Sequence, residues 1–476
     1  MRNRWSSLFS SGQGIRSALM CASSKAARDA AKSVDSKLVT VTGVAGVLLC
    51  SLLSIQASSR SAQINNAFSA DALDVDVKEF RLDEVESALR TMAPGPEHDY
   101  FAGVLANRAG RVEDSIRLLN HALPTIRRSQ PARAAVGLEA LADDYNKTFR
   151  YDDAARTYDD LLTHFGTQLG RPRLQGTKDD SGVMHLLRGA PAQTITWQGP
   201  VGLKTKRNPI GSRVMELKVN GVADEWLLDT GANFSVVSQS FARRLGINPL
   251  PGFGQTRAGV TGIENRLQVA LLPTLQIGGA TLRNVVLLIL DDRSLTVDLD
   301  KQTYQINAIV GYPVFQAMQR ITFLRDDVFE AGDGTRTPAT GARMYMKLLT
   351  PVIECAVEGN QLPFSFDTGA STSNLSVRYY ERFRAQAGTW KKGASKNFGA
   401  GGVVRRKIYL QPKLELVVGN ETTILERVPI FTEPIGSDID ELYGNLGQDV
   451  VARSKSFTLD FSTMTFSLGP PVGSGE

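Results

Sequence analysis

Two aspartates stand at the ends of two similar apolar runs. "WLLDTGANFS" opens at Trp226 and reaches Asp229; "FSFDTGASTS" opens at Phe364 and reaches Asp367, 138 positions later. A pair of carboxyl groups brought within a hydrogen bond of each other cannot both ionise easily, so they share one proton. Such a pair can take a proton from water with one member and polarise a carbonyl with the other, which hydrolyses an amide without a metal or covalent nucleophile. The pKa values belong to the pair, and sequence leaves the assignment of acid and base between Asp229 and Asp367 open.

Other chemistries are poorly supplied. The histidines are His98, His121, His164 and His185, so nothing after residue 185 can run a Ser-His or Cys-His mechanism on its own. No HExxH pattern occurs. Of Cys21, Cys50 and Cys355, only the last falls in the folded body, too few for a disulfide framework or cysteine metal site. Cys355 reads as a small buried strand residue. No metal or cofactor is expected. The formal charge of +5 owes much to the first forty residues, and no basic stripe interleaved with aromatics follows, so a nucleic-acid partner is not expected.

The elements that would position the aspartates come in two copies. "RVMELKVNG" alternates apolar and polar residues and turns at Asn220-Gly221 before "EWLLDTGA"; "PVIECAVEGN" turns at Gly359-Asn360 before "PFSFDTGA". A Gly-rich turn follows each, "AGVTGIE" (258–264) and "FGAGGVV" (398–404), then a hairpin. About eighty residues after each aspartate comes an apolar-Gly signal, "NAIVGYPVF" around Gly311 and "GNLGQDVV" around Gly447, and each is followed by an apolar strand. Two units with one order of parts indicate an internal duplication of all-β type.

This pattern resembles the aspartic peptidases of the retropepsin and pepsin type over about residues 195–470. Asp-Thr-Gly-Ala is the retropepsin spelling, and two copies in one chain give a pepsin-like bilobal layout. The resemblance implies catalytic Asp229 and Asp367, Thr230 and Thr368 cross-bracing the two loops, and Gly231 and Gly369 allowing their close approach. It also implies ψ-loop glycines at Gly311 and Gly447, and flaps at Gly259, Val260, Thr261 and Gly262 and at Gly399, Ala400, Gly401 and Gly402. The first of these turns looks the more flap-like; the second lacks the Lys-Ser/Thr of a phosphate loop. Ala232 and Ala370 offer no hydroxyl to the carboxylates, which implies a less acidic pH optimum than in pepsin-like enzymes. The expected activity is an aspartic endopeptidase acting on a peptide or protein substrate. The alternative is a non-catalytic peptide-binding or scaffold protein.

Upstream, residues 61–165 show helical spacing. Ala102, Gly103, Ala106, Ser115, Leu119 and Ala122 share their intervals with Leu141, Ala142, Tyr145, Ala154, Tyr158 and Leu161. This small/large pattern resembles the tetratricopeptide repeat and implies a possible protein partner. Residues 166–194, rich in Gly, Pro and charge, read as a linker. The two peptidase lobes are assigned to 195–345 and 346–472.

Residues 1–37 carry seven Lys/Arg against two Asp, and "LVTVTGVAGVLLCSLLSI" (38–55) begins an uncharged span that ends before Arg60. That span is long enough for one membrane helix. Seven acids between Asp71 and Glu86 follow, and the charge bias keeps the N-terminus (1–60) cytoplasmic and exports the body to the periplasmic or extracellular side. A cleaved signal peptide, giving a secreted protein, is the rival reading.

Overall fold

A computed structural model describes residues 69–257, 261–299, 302–332, 341–436 and 438–472. The chain divides into two units, 1–67 and 68–476. The basic segment and the apolar run 38–55 lie outside the described residues, as do Gly259 and Val260. Among the described residues, no helix is long and apolar enough to cross a membrane.

A helical region comes first: α1 (Ala70–Lys78), α2 (Leu82–Leu89), α3 (Pro96–Arg108), α4 (Val112–Ser129), α5 (Pro131–Lys147), α6 (Tyr151–Phe165) and α7 (Arg171–Leu186). Ser69 caps α1, its hydroxyl accepting from the Ala72 N–H at 3.2 Å. Helices α3 to α7 each pack on the next. Small residues let them pack closely: a Cβ on Gly103 of α3 would lie 2.8 Å from Leu119 Cγ on α4, so a larger residue there would push that side chain aside.

The stretch 166–194 departs from the linker expectation, because α7 occupies its centre. Gly176, Gly182 and scattered charges blur any apolar stripe in this helix. Pro172 sits in its first turn, where no N–H is needed, and tertiary burial of Val183 and Met184 overrides the weak local propensity.

The β region has two repeats. The first holds β1 (Thr194–Trp197), β2 (Val201–Arg207), β3 (Arg213–Val219), β4 (Val222–Leu228), β5 (Ser235–Ser238), β6 (Gly254–Arg257), β7 (Glu264–Ile277), β8 (Ala280–Leu290), β9 (Thr296–Leu299), β10 (Gln302–Gln305), β11 (Ala308–Val310), β12 (Arg320–Leu324) and β13 (Val328–Ala331). The second holds β14 (Ala342–Lys347), β15 (Thr350–Val357), β16 (Asn360–Phe366), β17 (Asn374–Leu375), β18 (Lys391–Gly399), β19 (Gly402–Val418), β20 (Glu421–Phe431), β21 (Gly444–Leu446), β22 (Ser456–Asp460) and β23 (Thr465–Leu468). The division placed between residues 345 and 346 cuts β14. That strand pairs with β15 and β23 and so belongs to the second repeat.

Hairpin β3–β4 turns at Asn220 (φ 49°) and Gly221 (φ 84°). Hairpin β15–β16 turns at Glu358 (φ 49°) and Gly359 (φ 76°), one residue earlier than Gly359-Asn360. Both turns need two left-handed residues to match the strand twist, and glutamate hides that signal in the second copy.

The repeats join through a sheet in the order β2–β13–β12–β22–β23–β14, antiparallel throughout. At its centre Thr322 opposes Thr458, with hydroxyls 2.9 Å apart, and Phe323 stacks on Phe457 with ring centroids 4.8 Å apart. Thr322 and Thr458, each eleven residues after Gly311 or Gly447, are equivalent residues of the two copies facing each other at the junction. Cys355 is fully buried in β15, and burial pushes its thiol pKa up.

Candidate active site

Each aspartate is delivered by the same local device. Buried Trp226, Leu227 and Leu228 pin the end of β4, which runs parallel to β11; Phe364, Ser365 and Phe366 do so for β16 beside β21. The Asp229 N–H donates to Val310 O at 3.1 Å, and the Asp367 N–H to Leu446 O at 3.0 Å. The chain then turns, and the next strand returns antiparallel on the far side of β11 or β21.

Gly311 and Gly447 lie where the strand beside each aspartate ends. A Cβ on Gly311 would sit 2.3 Å from Phe234 O, and one on Gly447 would sit 2.8 Å from Ala370 O. Their N–H groups donate to Ser235 Oγ (3.1 Å) and Ser373 Oγ (3.0 Å). These two serines escaped the sequence reading, although their matching places after each Asp-Thr-Gly-Ala could have drawn attention. Ala232 and Ala370 contribute carbonyls, accepting from the N–H of Tyr312 and Gln448 at 2.9 Å each.

The two loops lock together through the threonines, both almost completely buried. The Thr230 N–H donates to Thr368 Oγ1 (3.0 Å), and the Thr368 N–H donates to Thr230 Oγ1 (3.1 Å). Each hydroxyl in turn donates into the opposite strand end, Thr230 to Phe366 O (3.3 Å) and Thr368 to Leu228 O (2.9 Å). Every buried polar group in this crossing has a partner, which makes the arrangement rigid.

Rigidity brings the carboxyls together. A Cβ on Gly231 would lie 2.7 Å from Asp367 Cγ, and one on Gly369 would lie 2.5 Å from Asp229 Cγ. Each carboxyl thus rests against the glycine of the other loop. The Gly231 N–H donates to Asp229 Oδ1 (2.9 Å); the Gly369 and Ala370 N–H groups donate to Asp367 Oδ1 (2.7 and 3.2 Å). Both aspartates keep partial solvent access. Desolvation by the surrounding protein, then the charge and hydrogen bond of Asp367, hold the Asp229 pKa well above the usual carboxylate range.

The surroundings are not symmetric. Asn445 Nδ2 reaches Asp367 Oδ2 at 3.5 Å, with its Oδ1 held by the Ser365 hydroxyl at 2.7 Å. The equivalent position in the first repeat, two residues before Gly311, is apolar Ile309. Gln448, in the place of Tyr312, donates from Nε2 to Thr368 O (2.7 Å) and accepts from Arg207 Nη1 at Oε1. Ser212 Oγ donates to Gly369 O at 3.0 Å. None of these residues was found by sequence reasoning, because they differ between the copies and duplication was the guide.

The hairpins β6–β7 and β18–β19 carry the Gly-rich turns. Of the first turn, Thr261 and Gly262 are described; of the second, Gly399, Ala400, Gly401 and Gly402 all are. The tips meet across the two repeats. Thr261 Oγ1 donates to Ala400 O (3.4 Å), Arg406 Nη2 to Thr261 O (3.3 Å), and the Gly401 N–H to Ser294 O (2.8 Å). Among the described residues, no group of three or more His, Cys, Asp or Glu side chains could hold a metal ion.

Residues 215–314, which include Asp229 and Gly311, match a family model described as aspartyl protease. No curated protein matches the chain. Similar solved structures include basic 7S globulin from soybean, with 11% identity, a TM-score of 0.36, and coverage of 57% of this chain and 94% of that one. Another is conglutin gamma, a basic 7S globulin from lupine seeds, with 10% identity, a TM-score of 0.36, and coverage of 56% and 94%. Behind its helical region, the chain carries an aspartic-peptidase-like domain.

Proposed function

We propose that the protein is a single-chain aspartic endopeptidase in which Asp229 and Asp367 act as one catalytic pair. The observation that carries this reading is the contact of each carboxyl with the opposite loop's glycine, held by the reciprocal threonine bonds. In the resting pair one proton is shared, and we assign it to Asp229 because Asn445 presents an extra donor to the carboxylate of Asp367. Asp367 takes a proton from water as general base, and the water oxygen attacks the scissile carbonyl. Asp229 donates a hydrogen bond to that carbonyl oxygen as charge develops on it. The proton held by the pair then passes to the leaving amine, which restores the starting state.

The body is exported and held to a membrane by residues 38–55. The helical region, tetratricopeptide-like in its small-residue spacing, receives a protein partner in the groove of about 300 Å³ between α4, α5 and α6, beside Asn120, Leu138 and Tyr145.

The test is incubation with a diverse peptide mixture from acid to neutral pH, beside Asp229→Asn and Asp367→Asn. New peptide termini from the native protein, absent in both variants, are the expected result. Peptides retained but uncut by all three proteins would instead establish a binding module.

A further inference from the structure

The two tip hairpins differ in charge. In β6–β7, Arg257 is paired with Glu264 at 2.7 Å, so that hairpin largely neutralises itself. In the second repeat, residues 391–413 carry seven Lys/Arg and no Asp or Glu. The register of β18–β19 sorts these cations. Lys392 and Tyr409, Ala394 and Lys407, Lys396 and Arg405, and Phe398 and Val403 oppose one another on one face, where the four cations are exposed. Ser395 and Arg406 oppose each other on the other face.

Arg406 turns toward the first repeat. Its guanidinium lies 5.9 Å over the Phe431 ring, and Nη2 is bound to Thr261 O, while Nε is buried without a hydrogen-bond partner. Around it Ile408, Phe431 and Ile435 form an apolar cluster separate from the main core. A Cβ on Gly262 of the opposite tip would come within 3.0 Å of Ile435 O. An arginine in an apolar setting, with a donor edge unmatched, suits a planar carboxylate.

We propose that the β18–β19 hairpin selects acidic peptides: Arg406 receives a Glu or Asp side chain of the bound peptide through its Nε edge, and Lys392, Lys396, Arg405 and Lys407 steer the negative segment inward. This rests on the peptidase reading, since it places the peptide beneath the two tips. Steering by exposed cations raises the association rate and weakens with salt, whereas a desolvated carboxylate–guanidinium contact changes the dissociation rate.

The experiment is retention of a degenerate peptide library by the full chain carrying Asp229→Asn, which removes cleavage from the readout. Retained peptides are sequenced, and affinities are measured for one Glu-containing peptide and its Gln counterpart. Binding about tenfold tighter for the Glu peptide is expected, the size of one charge-assisted hydrogen bond. Arg406→Met should abolish that preference while leaving affinity for the Gln peptide within about twofold, and Arg406→Lys should restore part of it. Replacing the four outer cations with Gln should slow association and flatten its salt dependence, with the preference at equilibrium largely kept. Thermal melts of each variant report whether the fold is intact. Equal affinity for the two peptides, a preference that survives Arg406→Met, or binding of phosphatidylglycerol vesicles without acidic preference among peptides would overturn the proposal. Failure of the native protein to cleave, with acidic peptides still retained, would sink the catalytic part of the peptidase reading and leave acidic selection in its peptide cleft standing.

Discussion

The two repeats solve one problem with the same backbone and different side chains. Both deliver an aspartate from a buried strand end, seat a glycine N–H on a serine hydroxyl, and exchange threonine hydrogen bonds across the junction. They diverge where symmetry would leave two equal carboxyls competing for one proton. The second repeat supplies Asn445 and Gln448 where the first has Ile309 and Tyr312. Duplication thus explains the geometry, and divergence gives the two carboxyls different neighbours.

The strongest way to break the symmetric part is to add one carbon to it. Gly369→Ala puts a methyl 2.5 Å from Asp229 Cγ, and Gly231→Ala puts one 2.7 Å from Asp367 Cγ. Forced separation of the carboxyls should lower kcat by roughly 100-fold or more, and overpacking should reduce stability by about 1–3 kcal/mol. Peptide-cleavage kinetics and thermal melts read both effects. Equal activity in either alanine variant would mean the loops have slack that the contacts deny.

Next come the threonines. Thr230→Val strands the buried Thr368 N–H and Phe366 O; Thr368→Val strands the Thr230 N–H and Leu228 O. Each should destabilise by about 1–3 kcal/mol, with the double variant less than additive because the two side chains share one network. Denaturant midpoints would show it.

A third prediction concerns the raised Asp229 pKa and carries a definite sign. In the unfolded chain an aspartate titrates near 3.9; in the folded protein Asp229 titrates higher. As pH rises from about 4 toward the folded value, the folded state holds more protons than the unfolded state, so Asp229 makes stability fall. Asp229→Asn cannot ionise and should melt at a higher temperature than the native protein at neutral pH, the gap closing toward pH 4. A native protein that melts higher throughout would contradict the assignment of the proton.

The smallest effect sharpens the asymmetric part. Asn445→Ile copies the first repeat into the second and removes a donor from the Asp367 carboxylate. The acid limb of the kcat/KM profile should move to higher pH, by under about one unit, with little change in melting temperature.

Much of this site is legible in the sequence because repetition marks it. Asp229 and Asp367, their threonines and glycines, and Gly311 and Gly447 occur at nearly constant offsets, each at the end of an apolar run. Ser235 and Ser373 repeat as well and were passed over; the rest of what escaped had no repeat to mark it. Asn445, Gln448 and Ser212 act through contacts far apart in the chain, and Glu358 occupies a left-handed turn position where glycine or asparagine would have announced itself. Helix α7 was hidden for another reason: its glycines and charges obscure a periodicity that packing alone supplies.

The central claim is that Asp229 and Asp367 form one unit around one proton, and a kinetic cycle with Asp229→Asn, Asp367→Asn and the double variant tests it most directly. Each single replacement should reduce kcat/KM by roughly four orders of magnitude or more, and the double should fall no further, as for residues that act together. Near-native cleavage in either single variant, or losses that multiply in the double, would show two independent carboxylates rather than a pair.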